Sequence, residues 1–277
     1  VSAAAGRSVQ TIQALALSGP SAHPAFHAGQ FWVPADHRAP ALVTEILTLG
    51  FEQWLGAGFL ASATMYGRRS RGMSVPDPRP GPIGGRPLYV VGENEAWGID
   101  AGVRRVAGRW TASVGYGYGV SEVEAAGLRY PASADRRHRI DALAATRLTT
   151  SLRAALAFTA MSGAPFTRAI SRATAAECTL FGFGCAGPRA SVQLPNAQRT
   201  PDYRSLDAMV QWSHGFGSLE VGAYIQIRNV LGRDNTSTYS GSVVRRRQTR
   251  GTEELYWLDR FEAGLPRLPL LGLRVAF

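Results

Sequence analysis

Lysine is missing from this sequence: all thirty strongly basic residues of the 277 are arginine. With twenty acidic residues the formal net charge is +10. A charge of that sign first suggests a nucleic-acid binder. The arginines, however, do not form one stripe with interleaved aromatics. They gather in three clusters: Arg68, Arg69 and Arg71; Arg136, Arg137 and Arg139; Arg245, Arg246 and Arg247. Each cluster falls between strand-like segments, so no nucleic-acid partner is expected. A GC-rich coding sequence accounts for the missing lysine equally well.

Charged residues are also few, at 18%, against about 25% for an ordinary soluble domain. No apolar run reaches the length of roughly 18 residues that a helical membrane span needs. Two solutions are left: a soluble fold, or a closed barrel whose strands satisfy one another's backbone groups within a bilayer. The sequence starts at Val1 without Met and without a charged-then-apolar leader. The expectation is a fragment of a longer protein, a removed leader being the alternative.

Only two cysteines occur, Cys178 and Cys185, in a Gly-containing stretch. The spacing suits a local disulfide and an oxidising compartment; a free thiol pair is the alternative. No second Cys or His pair lies near enough to suggest a metal. His23 and His27 stand four apart, a spacing that matters on a helix, and Pro24 argues against one. His37, His138 and His214 are scattered. Glu93, Glu95 and Asp100 fall near a strand start, which makes an acid–base pair a poor reading. No catalytic residue, metal or cofactor is expected.

What is abundant is alternation with period two. Between 109 and 120, Trp110, Ala112, Val114, Tyr116, Tyr118 and Val120 share one face. Arg109, Thr111, Ser113, Gly115, Gly117 and Gly119 take the other. A helix would mix these sets; a strand separates them. The run Gly115–Gly119 therefore continues a strand and is no phosphate loop. Similar alternation fills 151–161, 203–213, 218–229 and 271–277, with weaker versions near 96–106, 138–148, 57–66, 42–51 and 10–18.

About ten strands result, each near the roughly 9–11 residues that cross a bilayer at a tilt. The connections alternate between tight turns, such as Ala107-Gly108 and Thr149-Thr150, and long segments at about 19–41, 67–95, 121–137, 162–202 and 230–268. Short turns at one rim and long loops at the other are expected of an antiparallel up-and-down transmembrane β-barrel. Trp54, Trp97, Trp110 and Trp212 suit aromatic girdles. The long loops are expected to carry the cysteine pair and the arginine clusters. Arg68, Arg69, Arg71, Arg136, Arg137, Arg245, Arg246 and Arg247 are thus candidate contacts for an anionic ligand or for lipopolysaccharide phosphates.

Five stretches resemble one family. Ala134-Asp135-Arg136-Arg137-His138-Arg139-Ile140 resembles the "DRRH" stretch that begins a strand in TonB-dependent receptors. Ser162-Gly163-Ala164-Pro165-Phe166-Thr167 is similar to their "SGxPYT" loop start. The segment from Asn196 to Asp207 resembles "NxxRxPxYxRLD". Arg228-Asn229-Val230-Leu231-Gly232-Arg233-Asp234-Asn235 resembles "NVFNxxN", and the segment from Leu268 to Phe277 resembles "LPxxGLRxxF". In that family a final aromatic, here Phe277, is read by the outer-membrane insertion machinery.

The resemblance covers about 90–277. It implies the C-terminal part of a 22-stranded outer-membrane barrel that takes up a scarce nutrient such as a siderophore or saccharide. Outer-membrane lipid would surround it, and TonB would act only through an N-terminal plug region that these residues do not supply. Two other readings stay open. One is an independent small outer-membrane barrel with a structural or adhesive role; the other is a soluble β-rich protein binding an anionic partner.

Overall fold

The computed structural model describes residues 1–16, 30–37, 39–79, 87–167, 194–249 and 252–277. These residues are all-β and contain no helix. Ten strands follow one another across a single antiparallel sheet: β1 (Ser2–Gln10), β4 (Leu42–Gly56), β5 (Phe59–Pro76), β6 (Tyr89–Ala107), β7 (Trp110–Ala125), β9 (His138–Arg147), β10 (Leu152–Met161), β13 (Tyr203–Phe216), β14 (Leu219–Arg228) and β17 (Leu268–Ala276). An eleventh, β8 (Leu128–Pro131), pairs with β7 beyond this path. The sheet is open, β1 and β17 forming its two edges.

The remaining strands form three small hairpins: β2 (Ile12–Ala16) with β3 (Gln30–Pro34), β11 (Pro165–Phe166) with β12 (Gln198–Arg199), and β15 (Thr236–Thr249) with β16 (Thr252–Ala263). Each lies within a connection at the same end of the sheet. At the other end four turns join β4 to β5, β6 to β7, β9 to β10 and β13 to β14. Gly58, Gly108 and Gly217 supply positive φ in three of them. The asymmetry of connections read from sequence is therefore present.

Several strands run further than their alternation suggested. β6 has 19 residues and β5 has 18, so the segment expected as a loop over 67–95 shrinks to 77–88. Arg68, Arg69 and Arg71 lie within β5, and Arg245, Arg246 and Arg247 within β15; none of the six is a loop residue. The sheet begins with β1, Ser2–Gln10, ahead of the 10–18 segment that alternation suggested, within which Ile12–Ala16 forms β2 outside the main sheet.

A bulge between Arg71 and Met73 lets β5 continue. Gly72 sits there at φ +83°, and a Cβ on it would lie 2.5 Å from the carbonyl oxygen of Ala41. The buried Gln13 amide seals the irregularity. Its Nε2 donates to the carbonyls of Pro40 (2.8 Å) and Gly72 (2.7 Å), and its Oε1 accepts from the Ser74 amide (3.0 Å). Backbone groups left over by the bulge are thereby satisfied. Gly72→Ala meets both a left-handed φ and a backbone obstacle. We expect a loss of about 2 kcal/mol, visible as a lower denaturation midpoint; an unchanged midpoint would mean that the bulge relaxes freely.

Candidate functional site

Cross-strand register decides which side chains share a face, because paired residues in an antiparallel ladder point the same way. Met65, Ile99 and Tyr118 are partners in successive strands, as are Ala61, Val103, Val114, Ala142, Phe158 and Leu206. Further along, Leu156 faces Ala208, Val210 faces Ile225, and Ile225 faces Leu271. One continuous apolar face therefore crosses from Leu47 and Leu49 on β4 to Leu271, Leu273 and Val275 on β17. It is uncovered: Leu271 is 77% and Leu273 85% exposed.

The opposite face is polar and small-residued. Ser62, Gly102, Gly115, Asp141, Thr159 and Ser205 form one row. Asp141 accepts from Arg139 Nε (2.5 Å) and from Thr159 Oγ1 (3.0 Å). Glycines on this face make room for a tyrosine. A Cβ on Gly98 would come within 2.6 Å of the Tyr66 hydroxyl, and one on Gly119 within 3.0 Å.

Toward the hairpin end the two faces exchange character along the same strands. Past Leu47, Gly67, Trp97 and Val120, the apolar face continues as Glu45, Arg69, Glu95 and Glu122. These charges are paired. Arg69 bonds Glu93 and lies 3.7 Å from Glu95; Arg71 lies 3.2 Å from Glu45 and 3.8 Å from Glu93. Arg129 contacts Glu95 (2.8 Å) and Glu122 (2.9 Å). The Glu122 carboxylate, helped by Glu95 and opposed by partial desolvation, holds the Arg129 guanidinium above its ordinary value. On the polar side at the same level, Val75, Val123, Ala125 and Tyr130 form a buried cluster with Met73, Val90 and Ala132 against it.

Aromatic groups mark the ends of the apolar zone. Near the charged band, Trp97 meets Tyr118 edge-on at 5.7 Å, and His138 stands against Tyr116 and Tyr118, its Nδ1 2.8 Å from the Tyr116 hydroxyl. At the turn end, His214 lies between Trp212 and Phe216, and Arg105 covers the Phe59 ring. Trp110 belongs to this end. Trp54 does not fit the expected girdle: its partner is Leu60, on the polar face.

Four of the five stretches singled out by resemblance lie around the hairpin end, whereas the fifth, from Leu268 to Phe277, forms β17 and runs to the turn end. Asp135 is 1% exposed. Its carboxylate accepts from the Ser121 amide (2.8 Å), from Arg137 Nε (2.9 Å) and from Arg199. Arg199 also donates to the carbonyls of Asp135 (2.7 Å) and Gly163 (3.1 Å), and Asn196 Nδ2 to that of Pro131 (2.8 Å). Farther along, Asn235 clamps the backbone of Arg204 through both side-chain amide atoms, while the Asn229 backbone N–H donates to Asp207 Oδ1 (2.9 Å). These residues fasten connections to strands, and sequence spacing could not reveal it, since Asp135 and Arg199 are 64 positions apart.

The candidate anion contacts divide accordingly. Arg69, Arg71 and Arg137 are neutralised by carboxylates. The Arg68 guanidinium donates only to Asn94 Oδ1 (3.2 Å) and the Arg136 guanidinium only to the Ser162 carbonyl (3.1 Å) among the described residues. Glu93 and Glu95 serve as arginine partners. Cys178, Cys185, His23 and His27, and the side chains of Arg245, Arg246 and Arg247, lie outside the described residues. No family model matches the sequence, and no curated protein matches it.

Proposed function

We propose that this chain is barrel wall and external rim of an outer-membrane TonB-dependent receptor that takes up a scarce nutrient. The observation that carries the membrane part is the exchange of faces along single strands. Below Trp97 the sheet is apolar on one side and polar on the other; above it the first side carries paired charges, and the second passes through Arg68, Ser70 and Asn94 to a buried apolar cluster. A soluble protein has no use for an uncovered apolar face crossing nine strands, which would be an aggregation surface. A bilayer covers such a face and ends where the charges begin.

The height fits. On β6 the span from Trp97 to the turn at Ala107 carries Ile99, Ala101 and Val103 on the apolar face, with Arg105 folded over Phe59 at its turn end. At about 3.3 Å per residue and a tilt of about 40°, that is roughly 25 Å, the height of an outer-membrane barrel's apolar band. The long connections then face outward and capture ligand, and the polar face lines the lumen. Gating by TonB would belong to a plug region encoded N-terminal to these residues. The uptake part of the reading rests on the resemblance of the motif stretches, four of which lie at one rim.

A second reading is favoured by one feature. Ten strands lie on the path, so the edge strands β1 and β17 run antiparallel, and closure on each other would give an independent small barrel. A plug-coding segment upstream in the same reading frame decides for uptake; a signal peptide directly preceding Val1 decides for the small barrel. The membrane claim itself is tested by fractionation. The protein is expected in the outer-membrane pellet and released only by detergent. Recovery in the soluble fraction without detergent would overturn it.

A further inference from the structure

Two arginines that no carboxylate neutralises among the described residues line one pocket. Arg68 and Arg136 line it with Tyr66, Ser121 and Asp135 and with the apolar Ile46 and Val120, around about 280 Å³ of half-open space. Asp135 brings no free charge, because Arg137 and Arg199 already hold its carboxylate. Among the described residues the lining therefore carries two arginines without a counter-charge and one acid whose charge is already met. The neighbouring arginines Arg69 and Arg71, one and three positions along the same strand from Arg68, point to the other face and are paired there.

We propose that Arg68 and Arg136 form a binding site for a small, water-soluble polyanion such as a carboxylate- or phosphate-bearing solute. Each guanidinium spends one N–H on a neutral acceptor, Asn94 Oδ1 or the Ser162 carbonyl, leaving four donors in a planar fork that matches oxyanions bidentately. Tyr66 lines the same pocket, and its hydroxyl adds a further donor. Glycine at 98 and 119 is what allows that ring to lie there. The side of the sheet selects the source of the anion: the pocket opens on the polar face, away from the apolar face that lipid would cover. A lipid phosphate would meet Arg69 and Arg71 instead, whose charge is already satisfied.

The site stands on this geometry alone; that it captures a transported solute rests on the reading above. The test uses the 277-residue chain folded in zwitterionic micelles, titrated calorimetrically with citrate and with pyrophosphate at low salt. Submillimolar, salt-sensitive binding of at least one probe is expected. The R68Q/R136Q double variant should weaken it at least about tenfold, and R69Q/R71Q by less than about twofold. Should the double variant lose its strand circular dichroism, R136K retains charge without the fork, and a weakening of about threefold is expected. Absence of binding to both probes, equal binding by R68Q/R136Q, an equal loss in R69Q/R71Q, or displacement of the probe by phosphatidic acid in the micelle would each overturn the proposal. A chain that binds these anions yet is soluble without detergent would sink the transport reading and leave the site.

Discussion

Val114→Arg is expected to destabilise the protein in lipid vesicles by about 2–4 kcal/mol, whereas Ser113→Asp, one residue away, is expected to change little. Val114 sits midway along the apolar part of β7, between Val103 and Ala142, and is 51% exposed. If water covered that face, replacing a half-exposed valine by arginine would cost within about 0.5 kcal/mol. If lipid covers it, the guanidinium lies near the bilayer midplane, where arginine on a barrel exterior carries the larger penalty. Ser113 points to the polar face and is paired with Arg104, which an aspartate would complement. Denaturant titration of vesicle-folded protein, followed by tryptophan fluorescence, measures both. Equal stabilities for Val114→Arg and the parent would remove the bilayer from the description of this face.

That expectation depends on alternation visible in the sequence, and the places where alternation failed have physical causes. Over 109–120 each side of β7 has one solvent to satisfy, so the period-two signal is clean. Past Trp97 on β6 and Gly67 on β5 the faces exchange roles. Arg68, Arg69, Ser70 and Arg71 place polar groups on both sides, which reads as a loop although the ladder continues through Arg71. The bulge at Gly72 then shifts the phase by one residue, hiding Met73 and Val75 as members of the buried cluster. In β1, Ser2, Ala3, Ala4, Ala5 and Gly6 offer no contrast in size or polarity between faces. Its strand character comes from pairing with β4.

Charge clusters misled for a related reason. A run such as Arg245, Arg246 and Arg247 looks like solvated loop, yet β15 pairs it with Tyr256, Leu255 and Glu254. Long strands that leave the apolar zone carry surface chemistry on rigid backbone, so composition alone cannot distinguish them from connections. The distinction between Arg68 and Arg69 was equally hidden. Adjacent in sequence, they face opposite ways, and only one meets carboxylates.

The second large effect concerns Asp135, whose removal should loosen the rim while leaving the apolar zone intact. Asp135→Ala takes away an acceptor from the Ser121 amide and the counter-charge of Arg137 and Arg199 together. Removing one member of a buried ion pair costs about 3–5 kcal/mol when the partner charge stays buried. Here both guanidiniums keep about a third of their surface in water, which screens part of the penalty. A loss of about 2–3 kcal/mol follows, read as a lowered denaturation midpoint and faster protease cutting between β8 and β9. Asp135→Asn keeps the shape and one acceptor but turns an amide toward two cations, so it should recover little. Arg199→Ala added to Asp135→Ala should cost less than the sum of the single changes, because it removes a charge that the first substitution stranded. Additive losses would mean that Asp135 is not coupled to Arg199 and acts through Ser121 and Arg137.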